Sequence, residues 1–282
     1  LFYIIIRGIF AVRFQSRSAL AYMFRNFGRL VYVALPVAVL MAFFINPFSE
    51  AEFFRALANN ELTDENLFFL FSRAVTVMRF GKFWWVVLLA FLLLCFTVSM
   101  LIVKINRHMH IGEMPAVPLR RSFAFMPAVM LTIVCIIAGY EITMLLSAGI
   151  VYVLKGVSNP VAVAAVGLSV NFILHFLIAW VFMLLVLALP IKYSEHYRLN
   201  VAFAHSVRVM SKQTKAVIIS CIVYTLCRYA VAAAGYFLAP YHIDVVLYAL
   251  VYLMLIMYLP CYAYKVYYDF VGGERRDIRR IM

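Results

Sequence analysis

Six apolar runs of about bilayer length, at residues 30–45, 83–103, 123–154, 161–191, 216–238 and 243–264, dominate the sequence. A helix crosses the hydrocarbon core of a membrane in ~20 apolar residues, and backbone groups in that medium must find their hydrogen bonds within the segment. Runs of this kind therefore become helices. With 67% hydrophobic and 13% charged residues in the 282-residue chain, there is too little polar side chain to cover a water-soluble surface. The sequence predicts an all-α, polytopic membrane bundle of six transmembrane helices, with 1–282 as a single transmembrane domain.

The charges between the runs orient this bundle. The chain carries 25 Lys and Arg against 12 Asp and Glu. Nineteen of the 25 fall in residues 1–29, 104–121, 192–215 and 265–282, on one side of a six-span arrangement. Cytoplasmic loops concentrate Lys and Arg, so both termini are expected in the cytoplasm, and any odd number of spans breaks the pattern. The same distribution accounts for the net charge of +13 without nucleic acid as a partner.

Three connecting segments have patterns of their own. Residues 8–27 place Arg13 and Arg17 one turn apart, and Leu20, Met23, Phe24 and Phe27 recur at helical spacing. That pattern reads as an amphipathic helix in the cytoplasmic interface, with a helix for a soluble partner as the alternative. Residues 48–82 gather five of the twelve acids and two helix-start signals, Ser49 with Glu52 and Thr63 ahead of Asp64 and Glu65. They read as an outer helical hairpin, either an ordinary interfacial one or a lid or partner surface. Residues 192–215 hold Val201, His205, Arg208 and Lys212 near one face, with Ala202, Phe203, Val207 and Met210 as a broken apolar stripe. This is a second amphipathic segment, whose Arg208, Lys212 and Lys215, like Arg13 and Arg17, are expected to face anionic lipid. The five cysteines show no CxxC spacing and read as buried free thiols. The first residues, LFYIIIRGIF, are too short a run for a secretory signal, and the start at Leu1 reads as truncated.

The order of parts carries a resemblance. A basic amphipathic lead-in (RNFGRL), six spans, a basic helix after the fourth span (LNVAFAHSVRVMSKQTKA) and a tyrosine-rich basic tail (YAYKVYYDFVGGERR) follow one another. The chain resembles a broad group of six-helix bacterial membrane proteins that includes the membrane portion fused to some glycerophosphodiester phosphodiesterases. The resemblance covers most of the chain and implies a multi-pass protein of the bacterial cytoplasmic membrane. No catalytic motif carries over, and no phosphodiesterase domain is present.

Chemistry is expected where polar side chains interrupt the apolar runs. Arg228 lies twelve residues from both Ala216 and Pro240, and His175 lies fifteen from both Pro160 and Pro190. Glu141 lies fifteen residues beyond Met126 and eleven before Tyr152. At ~1.5 Å per residue all three fall near the midplane. A charged group there costs roughly 2.5–3.5 kcal/mol on insertion scales and usually faces the bundle interior with a partner. The expected polar core is therefore Glu141, His175, Arg228 and Asn171, with Glu141 and Arg228 as an ion pair. Such a pair either fixes helix register or serves a substrate or proton path. Ala230, Ala233, Ala234 and Gly235 allow close helix approach beside Arg228. Tyr248 and Tyr252, and Tyr258 and Tyr262, repeat one-turn spacings that suit either a ligand path or helix packing and interface anchoring.

Other motifs carry less. His108 and His110 form an HxH near Glu113 on a basic loop without a second ligand cluster, so no metal site is expected. Gly167 to Asn171 lacks the second glycine of a serine-nucleophile turn and falls inside a span. There is no HExxH and no Walker A sequence. No catalytic residue and no cofactor are expected. The sequence points first to a non-enzymatic, transport-type component handling a small solute, proton or lipid headgroup. The alternative is an accessory or assembly subunit that binds a protein partner, a second copy or anionic lipid, and a lipid-active enzyme ranks third.

Overall fold

Backbone groups in the apolar runs close their hydrogen bonds along their own axes, and the computed structural model has a helix at each run. It describes residues 18–44, 84–115, 118–154, 160–212, 214–238 and 243–272. Arg13, Arg17, the 48–82 hairpin, the side chain of Lys215 and the tail after residue 272 lie outside the described residues. The helices are α1 (Ser18–Arg25), α2 (Phe27–Phe44), α3 (Trp84–Ile111), α4 (Leu119–Leu154), α5 (Pro160–Glu195), α6 (Leu199–Lys212), α7 (Thr214–Leu238) and α8 (Asp244–Val271). Among the described residues, α3, α4, α5, α7 and α8 are each long and apolar enough to cross a membrane. Helix α2 makes a sixth when it is taken together with α1, from which it is bent by 88°.

That bend is built at Asn26. Its side-chain amide donates to the carbonyl of Tyr22 at 3.0 Å, and its own carbonyl accepts from the N–H of Arg29 at 2.9 Å. The Tyr22 carbonyl also accepts the backbone N–H of Asn26 at 3.2 Å, so the amide adds a second donor to the last turn of α1 where the chain turns. Helix α1 buries Ala19, Tyr22 and Met23 against the bundle, while Phe24 is 57% exposed. Of the expected stripe Leu20, Met23, Phe24 and Phe27, Met23 is buried and Leu20 and Phe27 pack partly against the core, while Phe24 faces outward; Tyr22 joins the inward face, its hydroxyl 2.8 Å from His108 Nδ1.

Cross-helix contacts order the spans. Ser99 donates to the carbonyl of Ser122 at 2.6 Å, Ser194 to Asn106 Oδ1 at 2.9 Å, and Ser220 meets Tyr262 at 3.4 Å. These contacts, with Lys104 bonded to Tyr32 and Tyr267 to Glu195, bring the N-terminal ends of α2, α4 and α7 and the C-terminal ends of α3, α5 and α8 to one end. Successive spans therefore alternate in direction, and the basic connections collect at that end. Helix α8 packs on α2, α3, α5 and α7, and α5 packs on α3, α4, α6, α7 and α8, so these two are central.

Three helices outrun the expected spans at this basic end. Helix α3 continues past 103 to Ile111, α5 runs through Pro190 to Glu195, and α8 runs through Pro260 to Val271. The extra turns find partners in one another, Asn106 with Ser194 and Glu195 with Tyr267. Left-handed glycines end two of them, Gly112 at φ 83° and Gly272 at φ 66°. His108 and His110 therefore stand on helix α3, not on a loop.

Two further expectations are corrected. Helix α6 buries Ala202, Ser206, Val209 and Met210, while Val207 is exposed. Ser206 rides inside because its hydroxyl bonds the carbonyl of Phe203 at 2.7 Å and its small side chain allows close approach. Of the cysteines, Cys95, Cys221 and Cys261 are buried and outside any disulfide, but Cys135 and Cys227 are exposed.

Lys104 is only 1% exposed. Its ammonium bonds the Tyr32 hydroxyl, lies 4.3 Å from that ring's centroid, and reaches the carbonyl of Arg29 at 3.5 Å. The long aliphatic stem fills the α2–α3 contact while the charged tip is satisfied. Lys104→Ala is expected to lower the unfolding free energy by about 2–4 kcal/mol, and Lys104→Met by less than about 1 kcal/mol, because methionine keeps the stem. Denaturant unfolding in detergent measures both. An equal loss in the two variants would place the stabilisation on the ammonium instead.

Candidate functional site

The inward face of α7 is read directly from its burial. Val217, Cys221, Thr225, Arg228, Ala232 and Gly235 are all buried, at spacings of four, four, three, four and three. This stripe at helical period carries Arg228 into the bundle. Arg228 is 7% exposed and lies eleven residues into the apolar stretch Val217–Gly235, near its middle. Of the small residues expected beside it, Gly235 makes the close contact. The hydroxyl and ring edge of Tyr248 occupy the space where a Cβ would stand. Ala230 is exposed, and Ala232 takes the inward position.

Tyr140 on α4 receives the guanidinium. Arg228 Nη2 donates to the Tyr140 hydroxyl, and the guanidinium carbon lies 4.7 Å from the ring centroid. Hydrogen bonding and cation–π attraction act on the same partner. The other side of this contact is histidine: the Tyr140 and His175 ring centroids are 5.4 Å apart, and Tyr229 meets His175 edge-on at 6.3 Å. His175 is 2% exposed, and its Nδ1 lies 2.8 Å from the carbonyl of Asn171. A carbonyl only accepts, so Nδ1 carries the proton in this contact.

A polar ladder continues from His175 along the α4–α5 contact. Asn171 is 3% exposed, with its Oδ1 3.5 Å from Ser147 Oγ, which in turn donates to the carbonyl of Thr143 at 3.0 Å. Arg228, His175 and Asn171 are thus joined across three helices through Tyr140. Glu141, half-buried, follows Tyr140 on α4. Its pairing with Arg228 stays a proposal.

Two adjoining cavities meet this cluster. One, of about 230 Å³, is lined by Tyr140, Arg228, Tyr224, Tyr252 and Cys227 among others. The second, of about 280 Å³, lies between α2, α3, α4, α5, α7 and α8 and has apolar walls such as Phe91, Val98 and Phe182. Ile136, Ile137, Tyr224, Tyr252 and Leu255 line both, so the two cavities share a wall and are together called the chamber. Among the described residues, Arg228 is the one charged side chain lining either part. Neither Glu141 nor His175 lines it, and Tyr140 stands between His175 and the opening.

The remaining expected residues lie elsewhere. Arg208 and Lys212 are exposed on α6, Lys212 with its ammonium 4.9 Å from the Phe270 ring centroid. Of the groups missed in the sequence, Tyr224 had a usable signal, since it precedes Arg228 by one turn. Tyr140 had none, because its partner is 88 residues away. The chain matches no protein-family model, no curated protein and no solved structure.

Proposed function

We propose that this chain is a transport-type component of the bacterial cytoplasmic membrane that takes an anionic amphiphile, a carboxylate or phosphate head on an apolar chain, into its intramembrane chamber. In this reading six spans cross the membrane, the basic end faces the cytoplasm, and binding and passage take the place of bond-making chemistry. The observation that carries it is Arg228, a buried cation near the middle of its span on the wall of an otherwise uncharged cavity. A guanidinium has five donors in a planar fork and engages the Tyr140 hydroxyl and a carboxylate or phosphate together. Aliphatic and aromatic walls suit the apolar chain, whereas a small polar solute would lose its hydration there without replacement.

The two exposed cysteines supply a test. Cys227 lines the cavity beside Arg228, and Cys135 on α4 does not. In chains keeping one of these thiols each, an anionic, membrane-impermeant thiol reagent is expected to label Cys227 faster than Cys135 by about tenfold, because the guanidinium beside Cys227 attracts the reagent. Dodecanoate is expected to protect Cys227. Equal labelling of both thiols, or no protection, overturns the proposal.

A further inference from the structure

A second, larger cavity lies at the basic end, about 820 Å³ in volume and bounded by the ends of α3, α4, α5 and α8 and the turn after α5. Its two cationic side chains are Arg121 from α4 and Lys192 from α5, and two histidines join them, His110 from α3 and His196 from the turn. One carboxylate, Glu195, shares the lining and accepts a hydrogen bond from the Tyr267 hydroxyl. Arg121, His110 and His196 are exposed within an open cleft, so their hydrogen-bonding groups are available to a ligand.

The walls are fixed rather than loose. Phe125 packs edge-on against Tyr193 at 5.1 Å, and the bond between Ser194 and Asn106 ties the end of α5 to α3. His196 is held at φ 57°, the left-handed region in which a residue other than glycine is disfavoured. Lys192 Nζ donates to the carbonyl of Tyr197 at 3.4 Å across the same turn. Strain of this kind persists where the surroundings over-determine it, and it concentrates at binding sites.

We infer that this cleft is a binding site for the phosphate of an anionic phospholipid headgroup, distinct from the Arg228 chamber. Arg121 and Lys192 hold the phosphate, a fork and a point charge of the kinds that recognise it. His110 and His196 add donors at the rim. The apolar and aromatic part of the lining, Ala124, Phe125, Tyr268 and Val271, meets the glycerol and first methylenes of a lipid rather than a free phosphate ion. The site draws on the basic end alone and does not depend on Arg228.

The test uses the full chain purified in nanodiscs of mixed phosphatidylglycerol and phosphatidylcholine, with retained lipid counted by native mass spectrometry. Arg121→Gln with Lys192→Gln is expected to lose retained phosphatidylglycerol by about 30-fold in affinity. The equal-charge control Arg120→Gln with Arg198→Gln, whose residues do not line the cleft, is expected to retain it. Glu195→Gln keeps an acceptor for Tyr267 while removing the negative charge, and is expected to strengthen retention about fivefold. A gain of that kind does not follow from misfolding. Equal loss in both double variants, or no gain in Glu195→Gln, overturns the inference. Equal competition by soluble glycerol phosphate also overturns it, since the site then takes a free organophosphate. In an Arg228→Met background, which removes any lipid held at the chamber, the same loss in Arg121→Gln with Lys192→Gln and the same gain in Glu195→Gln are expected, which separates this site from the chamber.

Discussion

Arg228→Met is expected to abolish protection of Cys227 by dodecanoate, weakening amphiphile binding by at least about 100-fold, while the chain still folds. A fully desolvated guanidinium–carboxylate contact is among the strongest that a site forms, and its loss leaves the anionic head without compensation. Folding is expected to survive because a cation near mid-membrane costs roughly 2.5–3.5 kcal/mol to insert, a cost that methionine removes. A residue that lowers stability and is retained in the binding wall behaves as a ligand-holding group. A purely structural Arg228 predicts the opposite pattern, with Arg228→Met melting well below the parent and dodecanoate protection persisting in whatever folds. The role of Glu141 is read from charge reversals in the same melting assay. If it pairs with Arg228, Glu141→Arg with Arg228→Glu recovers part of the stability lost in either single reversal. An absence of recovery assigns the guanidinium to Tyr140.

Gly235→Leu is expected to produce the largest loss of stability, about 3 kcal/mol or more, and to open the α7–α8 contact. A Cβ at this position overlaps the hydroxyl and ring edge of Tyr248, a buried aromatic on a central helix. Overpacking costs typically 1–3 kcal/mol where neighbours can shift. Here the neighbour is a rigid ring held between two spans. Tyr248→Ala removes the obstruction, so the double variant is expected to be no less stable than Tyr248→Ala alone, a coupling of at least about 1 kcal/mol. Additive losses in the cycle would show that Gly235 is not held by this contact. Because Gly235 shares its stripe with Arg228, the same substitution is expected to disturb Cys227 labelling, linking helix approach to the geometry of the chamber.

Several parts of the bundle were legible in the sequence for a simple reason. Insertion depends on the length and polarity of a single segment, so the apolar runs mark the helices without knowledge of their neighbours. Arg228 and His175 stood out because a polar residue in such a run is costly wherever it points. Helix ends were less legible. Hydropathy marks where a segment leaves hydrocarbon, but α3, α5 and α8 continue until a glycine or a turn stops them, and their extra turns are stabilised by one another. The inward stripes of α1 and α6 were shifted for a related reason. Tyr22 and Ser206 are polar, yet each carries its hydroxyl to a partner that hydropathy does not register.

The sequence by itself determined an all-helical, multi-pass chain with its basic residues gathered in the connections and with Arg228, His175 and Glu141 near the middle of apolar runs. Those features follow from local composition and from a helical rise of ~1.5 Å per residue. Only the tertiary structure decided that Arg228 meets Tyr140, that Tyr140 stands between it and His175, and that this cluster borders a chamber while Arg121, Lys192 and two histidines border another cleft. Such contacts depend on the rotation of each helix about its axis and on which helices are neighbours. Packing of buried small and aromatic side chains sets both, and no single segment encodes it.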